Sequence, residues 1–364
     1  MQRARYADSR IEMSRFLNEK INKLEPYVPG EQPKDRKYIK LNTNESPFPP
    51  SELAIKLASE EAKRLMLYPD PDCTELAAAI AEEYSVKPEN VILTNGSDEV
   101  LNFAFIAYCD DKTPAIFPDI TYGFYKVFAD VNSVPCVEIP LKDDFTVDIS
   151  DYTKRSGVIF IANPNAPTGI ALPLDKIEEL LQADTNRIVV VDEAYVDFGA
   201  ESAVSLVEKY DNLLVTQTFS KSRSMAGARL GFGIASADII ADLQRVKYST
   251  NPYNINRMTA AAGLGAIKDK SYFVNNCSII RENREYLASE LKKIGFTMTD
   301  SETNFLFVKT DAMPGGKLYS ALKERGILVR HFGKDRISDY LRITIGNKEE
   351  MSALVLAIKE ILGK

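Results

Sequence analysis

The chain has 364 residues, with 45 Lys and Arg against 52 Asp and Glu, for a formal charge of −7. That length suits two or three domains of about 150 residues and buries a core without disulfide staples, while the acidic balance argues against nonspecific nucleic-acid binding. No apolar run approaches the roughly 20 residues of a membrane helix, and one histidine, His331, cannot build a histidine-ligated metal centre.

Residues 1–25 carry helical spacing (Ile11, Phe16, Leu17, Ile21, Leu24) that ends before Pro26. The stretch from Glu25 to Ser51 is too rich in Pro and Gly for regular structure and predicts an irregular arm. From residue 51 the pattern alternates. Helical spacings over 52–66, 74–85, 98–108, 122–131 and 173–183 separate apolar runs over 91–96, 114–118, 134–140, 157–164, 187–195 and 212–221. Continuous runs such as Val189–Val191 suit central strands of a parallel sheet, and strands alternating with helices predict a doubly wound α/β fold. After about residue 250 the texture changes. Helical patterns over 256–268, 272–294, 316–325 and 347–362 surround strand candidates over 303–310, 326–332 and 340–346, which predicts a smaller α+β domain. Asn347 and Glu350 have the spacing of a capping box at the last helix start. The expected division is an arm over 1–50, a large domain over 51–250 and a small one over 251–364.

Cys73, Cys109, Cys136 and Cys277 are scattered, and the N-terminus lacks a signal-peptide apolar core, so a reduced cytoplasmic protein is expected. A Ser-His or Cys-His catalytic pair would have to run through His331 alone. Imidazole is therefore not the expected proton carrier.

Ligands of open α/β sheets gather at the carboxyl ends of strands, so the residues after each run are the candidates. Gly96-Ser97-Asp98-Glu99 opens a helix whose free N–H groups suit a phosphate, although the same residues read as an ordinary cap. Asn163-Pro164-Asn165-Ala166-Pro167-Thr168-Gly169 predicts an irregular turn. Asp192 ends a buried strand, where a carboxylate needs a cation or donors; a structural ion pair is the alternative. Lys221 ends the next strand, as a candidate nucleophile and base, and Arg229 follows eight residues later. Each signal is ordinary alone. Their succession, one after each strand, points to a single site.

These residues resemble the class I and II aminotransferases, pyridoxal-phosphate enzymes of fold type I, over essentially the whole chain. The resemblance implies a three-layer α/β/α large domain with a mostly parallel sheet, a smaller C-terminal domain and pyridoxal 5'-phosphate as cofactor. It implies Lys221 as the lysine holding the cofactor in a Schiff base and moving the proton, and Asp192 as partner of the pyridine nitrogen. Tyr122 would stack on the ring. The amides of Ser97 and Asp98, the Ser220 hydroxyl and Arg229 would clasp the phosphate, and Tyr195 would hydrogen-bond the phenolic oxygen. The family usually has Asn immediately before Pro-Thr-Gly; here that position is Ala166, and either Asn165, one residue earlier, reaches the same oxygen through a shifted backbone, as is expected, or Tyr195 serves alone.

Glu25-Pro26-Tyr27-Val28-Pro29-Gly30, Leu41-Asn42-Thr43-Asn44-Glu45-Ser46-Pro47 and Tyr68-Pro69-Asp70 resemble the histidinol-phosphate aminotransferases within that family. The likeness implies Tyr27, Asn44, Arg330 and Arg342 as substrate contacts, and Tyr68 of the partner subunit at the cofactor phosphate of a homodimer. Small-molecule amines and 2-oxo acids are the implied partners, with no metal, nucleic acid or membrane. Arg342 alone says only "anion", because a guanidinium fork fits carboxylate and phosphate alike. An aromatic or general amino-acid aminotransferase and a threonine-phosphate decarboxylase remain alternatives. A nicotinamide dehydrogenase lacks its Gly-x-Gly-x-x-Gly fingerprint, since Gly231-x-Gly233 and Gly263-x-Gly265 are followed by Ser236 and Lys268 at the third glycine position. A ligand-sensing regulator lacks a DNA-binding module in residues 1–50. His331, next to Arg330 on a strand, is expected to face away from the substrate.

Overall fold

The computed structural model describes residues 14–25 and 27–364. Seven strands form the main sheet: β2 (Val91–Thr94), β3 (Ala115–Pro118), β4 (Cys136–Ile139), β5 (Val158–Ala162), β6 (Val189–Asp192), β7 (Leu213–Thr218) and β8 (Gly231–Ala235). Among the described residues their order is β2-β8-β7-β6-β5-β3-β4, with β8 running opposite to the other six strands. The carboxyl ends of β2, β5, β6 and β7 therefore share one edge.

Strand alternation divides the apolar runs between two faces. Val189 and Val191 pack with Ile159, Ile161, Leu213 and Val215 on one side, and Val190 packs with Phe160 and Leu214 on the other. At about 1.5–3 kcal/mol for each fully buried aliphatic side chain, these two layers are the main stabilising term. Helices α1 (Thr74–Glu83), α2 (Ser97–Tyr108), α3 (Phe124–Asn132), α4 (Leu174–Ala183), α5 (Ala237–Thr250) and α6 (Arg257–Lys268) cover the faces. Residues of α1, α4 and α6 join the Val191 side, and those of α2, α3 and α5 join the Val190 side. This is the expected three-layer α/β/α arrangement.

A second, antiparallel sheet has the order β12-β13-β10-β9, from Arg330–His331, Leu341–Thr344, Phe305–Thr310 and Phe296–Met298. Its core includes Ile280 and Leu287 of α7 (Lys270–Lys293), Leu318 and Leu322 of α8 (Gly315–Glu324), and Leu354 and Ile358 of α9 (Lys348–Leu362). Asn347 caps α9 with the full Asn347–Glu350 box. The arm reaches this core. Strand β1 (Ile39–Lys40) pairs in parallel with β11 (Ile327–Leu328), and Leu41 is buried among the same residues.

Several boundaries differ from expectation. Among the described residues of the expected 1–25 helix, only Glu19–Asn22 is α-helical, capped by Asn18, and residues 1–13 lie outside the description. The run over 326–332 splits between two sheets as β11 and β12. Leu264, Ala266 and Ile267 of α6 pack with the large sheet, whereas Cys277 and Ile280 of α7 pack with the small one. In packing terms the change falls between α6 and α7, beyond the expected residue 250.

Candidate active site

The strand ends converge on a cavity of about 190 Å³. The turn after β2 passes through Gly96, at φ 77°, into α2 and buries Ser97 at its first position. Only glycine adopts that backbone without strain, and an added Cβ would stand 2.6 Å from Arg229 Nη2. Gly231 is constrained more tightly: its Cβ would lie 2.3 Å from Ser97 N and 2.4 Å from Gly96 C. Two glycines thus let the phosphate-type turn and the start of β8 touch.

Arg229 reaches Asp98 Oδ2 at 3.0 Å and Ser220 Oγ at 3.4 Å. Tyr122 donates its hydroxyl to Asp98 Oδ1 at 2.7 Å, so the Asp98 carboxylate holds both the arginine and the tyrosine in place. Burial, with Asp98 beside it, raises the Tyr122 hydroxyl well above the usual tyrosine range, so it stays protonated. Ser97, Asp98, Ser220 and Arg229 together line one end of the cavity, where the helix-start N–H groups, a hydroxyl and a guanidinium suit an anion.

Asp192 forms the buried floor. Among the described residues it has no cationic partner, so the structural ion pair considered from sequence is not what holds it. Instead Tyr125 donates to Oδ2 at 2.9 Å, and Thr216 lies 3.4 Å from Oδ1. Burial pushes the carboxyl up to about 6, the Tyr125 bond opposing this and the nearby Asp98 charge adding to it. The adjacent Glu193 is pushed up to about 7 by burial, and is bonded by Ser202, the Ala203 N–H and Gln217. It points its contacts into the structure and does not border the cavity.

Lys221 Nζ donates to the Thr43 carbonyl at 3.2 Å and lies 5.7 Å from the centre of the Tyr195 ring. Glu45, also on the cavity wall, accepts from Lys40 and Thr43; burial opposes its ionisation, but these bonds and the Lys40 and Lys221 charges hold it below the usual carboxylate range. The arm therefore forms part of the wall around the lysine.

A second cavity of about 470 Å³ shares Tyr122, Tyr195 and Lys221 with the first. Tyr27, Asn44, Arg330 and Arg342 line it. Arg342 donates to the Asn42 carbonyl at 3.1 Å, and its buried Nε has no partner among the described residues. Burial lowers its affinity for the proton it carries, so an anion beside it would be favoured. Arg330 is 3.4 Å from the Val28 carbonyl and faces the Phe332 ring at 5.7 Å, and Tyr27 packs against Phe124 at 4.3 Å.

Three expectations need revision or qualification. Asn165 does not line the Lys221 cavity; its side chain donates to the Ile120 carbonyl at 3.0 Å and Thr168 Oγ1 at 2.9 Å, and accepts from Thr121 at 2.7 Å. Those bonds hold the 163–169 turn and leave the side chain no free donor, so its assigned contact with the phenolic oxygen is withdrawn. Tyr68 is 78% exposed and stacks on Tyr253 at 4.7 Å, outside both cavities. His331 donates to the Ser338 carbonyl at 2.7 Å and stacks on Tyr319; it borders the Arg342 cavity without entering the Lys221 one.

Tyr125 escaped the sequence reading, and Thr43 and Glu45 entered it only as members of the 41–47 segment, without a role. Tyr125 was findable, since it stands three residues after Tyr122 and so near one helical face. Nothing local marks Thr43, which acts through its carbonyl.

The donor set fits pyridoxal phosphate. It offers an anion clasp at one end, a buried carboxylate for a protonated ring nitrogen, a lysine amine, and an aromatic hydroxyl in Tyr195. Comparison with known proteins agrees. The family model for aminotransferase class I and II matches residues 36–358. Histidinol-phosphate aminotransferases of Marinomonas sp. and Brachyspira hyodysenteriae are 51% and 49% identical, each over 96% of this chain and 100% and 99% of theirs. The solved histidinol-phosphate aminotransferase of Sinorhizobium meliloti with pyridoxal-5'-phosphate superposes at a TM-score of 0.87 and 24% identity, covering 97% of this chain and 99% of that one. That likeness speaks to the fold.

Proposed function

The chain belongs to the class I and II aminotransferases, and from that premise we propose that it transfers the amino group of L-histidinol phosphate to 2-oxoglutarate. The products are imidazole acetol phosphate and glutamate, a step of histidine biosynthesis. The observation carrying this reading is the second cavity, whose wall Arg330, Arg342 and Tyr27 share with Lys221. Two guanidinium forks and a tyrosine hydroxyl suit a phosphate monoester, and the same forks accept the carboxylates of 2-oxoglutarate.

Enzymes of this family work with pyridoxal 5'-phosphate, which when bound supplies an aldehyde that takes up the amino group and a ring that accepts electrons. The main-chain amides of Ser97 and Asp98 and the Ser220 hydroxyl would donate to its phosphate, with Arg229 as the charged fork. Asp192, ionised, pairs with the ring nitrogen and keeps a proton there. Tyr122 would cover the ring, and Tyr195 would donate to the phenolic oxygen. Lys221 Nζ would remove the proton from the amine-bearing carbon of the donor and deliver it to the cofactor's former aldehyde carbon. A positioned acid–base group of this kind contributes about 10²–10⁴-fold.

Tyr68 of the partner subunit completes the phosphate contacts in a homodimer working in the cytoplasm. The exposed run Leu65, Met66, Leu67 and Tyr68 supports that assembly, since apolar side chains in series are costly to leave in water.

Incubation with pyridoxal phosphate, histidinol phosphate and 2-oxoglutarate should yield glutamate, and Lys221→Ala should yield none. Near-wild-type turnover in that variant would sink the assignment of Lys221.

A further inference from the structure

The hydroxyl of Tyr195 has one proton to give, and the arm determines where it goes. Asn44, 1% exposed, donates its main-chain N–H to Thr344 Oγ1 at 3.0 Å. Thr344, 2% exposed, then turns its own proton to Asn44 Oδ1 at 2.9 Å. That engages the acceptor end of the amide and leaves Asn44 Nδ2 as the donor facing Tyr195 Oη, at 3.0 Å. The Asn44 carbonyl is in turn held by Asn304 Nδ2 at 3.0 Å, so the residue cannot easily turn over.

A tyrosine hydroxyl that accepts from an amide must donate elsewhere. Tyr195 lines the Lys221 cavity, and Ala166, on the same wall, offers no side-chain donor. We propose that Asn44 and Thr344 are positioning residues that direct the Tyr195 proton into the cavity, making Tyr195 the side-chain donor to the phenolic oxygen of the cofactor. Asn44 thereby changes role: it acts on the cofactor through Tyr195. The proposal rests on the pyridoxal-phosphate reading above. It also ties the cofactor to the substrate side, because Thr344 lies two residues from Arg342 on β13, and Arg342 is bonded to the arm at Asn42.

Asn44→Asp reverses the polarity with little change of shape, and aspartate tolerates the φ of 57° at this position. A carboxylate there accepts the Tyr195 proton and robs the phenolic oxygen of its donor. A donor stabilises negative charge on that oxygen, so its loss raises the pH at which the bound cofactor gives up its neighbouring proton. The readout is the pH midpoint of the visible absorbance change of the pyridoxal-phosphate-loaded protein, measured without substrate. The new negative charge also raises the midpoint, so the comparison is a double-mutant cycle with Tyr195→Phe. Asn44→Asp should raise the midpoint by about one unit more in the wild-type background than in the Tyr195→Phe background. Thr344→Val adds no charge and frees the Asn44 amide to turn. It should give a smaller rise that vanishes in the Tyr195→Phe background, and it supplies the same comparison should Asn44→Asp not fold. Equal shifts in both backgrounds would overturn the proposal while leaving the cofactor reading intact. A wild-type protein that acquires no visible band would overturn both.

Discussion

Tyr125→Phe removes one hydroxyl from the interior and nothing else. Tyr125 is fully buried, with its ring 5.7 Å from Phe117, 5.7 Å from Tyr122 and 5.8 Å from Phe160, and phenylalanine keeps those contacts. What disappears is the 2.9 Å bond to Asp192 Oδ2. A hydrogen bond to a charged group contributes about 1.5–3 kcal/mol and one between neutral groups about 1 kcal/mol. The penalty therefore depends on the state of Asp192. Its carboxyl, already raised to about 6 by burial against the Tyr125 bond, should rise by about one further unit in the variant. A carboxyl raised on folding contributes stability that is fully present below its unfolded value of 3.8 and is lost as pH rises through its folded value. Wild type and variant share that loss up to about pH 6, and the variant continues to lose stability above it. Urea unfolding of the cofactor-free protein should show a penalty of about 1 kcal/mol at pH 5 and about 2–2.5 kcal/mol at pH 8. At about 2.1 cal/mol/K per residue, each kcal/mol lowers Tm by only about 1–1.5 °C, so denaturant is the better probe. An equal penalty at both pH values, or a larger one at pH 5, would refute the claim that this bond favours the ionised carboxylate.

Gly231→Ala should abolish cofactor binding or soluble expression, because the new Cβ meets two main-chain atoms that cannot step aside; Gly227→Ala, with nothing within 4 Å, is the control and should bind normally in a pyridoxal-phosphate titration. Arg342→Lys keeps the charge and loses the fork. It should cut kcat/KM for histidinol phosphate about 10–100-fold with an unchanged cofactor spectrum, and an unchanged KM would argue against a substrate role. Cofactor affinity should rise with pH up to about 6 and then level, because Asp192 must shed its proton before it can pair with a cationic ring nitrogen. Equilibrium dialysis across pH 5–7.5 checks this; Asp192→Asn should lose that part of the dependence, and matching profiles for the two proteins would contradict it.

Much of the main sheet could be read from the chain because its central strands are buried on both faces, as Val189–Val191 illustrates, and because chemistry in such sheets sits immediately after a strand. Asp192 and Lys221 are legible for that reason. Strand β8 went unread: Gly231-Phe232-Gly233 has little β-propensity, and its first glycine is dictated by a contact with Ser97 across the sheet edge. Helix α5 was also missed, since its buried positions are few and include the charged Lys247. The Asn165 expectation failed because a turn can consume an amide side chain internally, and sequence spacing does not say which carbonyls lie near. The pairing of Asn44 with Tyr195 spans 151 positions and depends on a left-handed backbone, so no local pattern announces it.

The central claim concerns the amine, and a donor comparison tests it most directly. Histidinol phosphate, phosphothreonine, phenylalanine and glutamate would each be mixed with the loaded protein, following the cofactor's visible band and, with phosphothreonine, release of CO2. Two guanidinium forks gained or lost with the phosphate should favour histidinol phosphate over phenylalanine by about 100-fold or more in kcat/KM, with no CO2 formed. Preference for phenylalanine, or CO2 from phosphothreonine without a keto-acid acceptor, would contradict it.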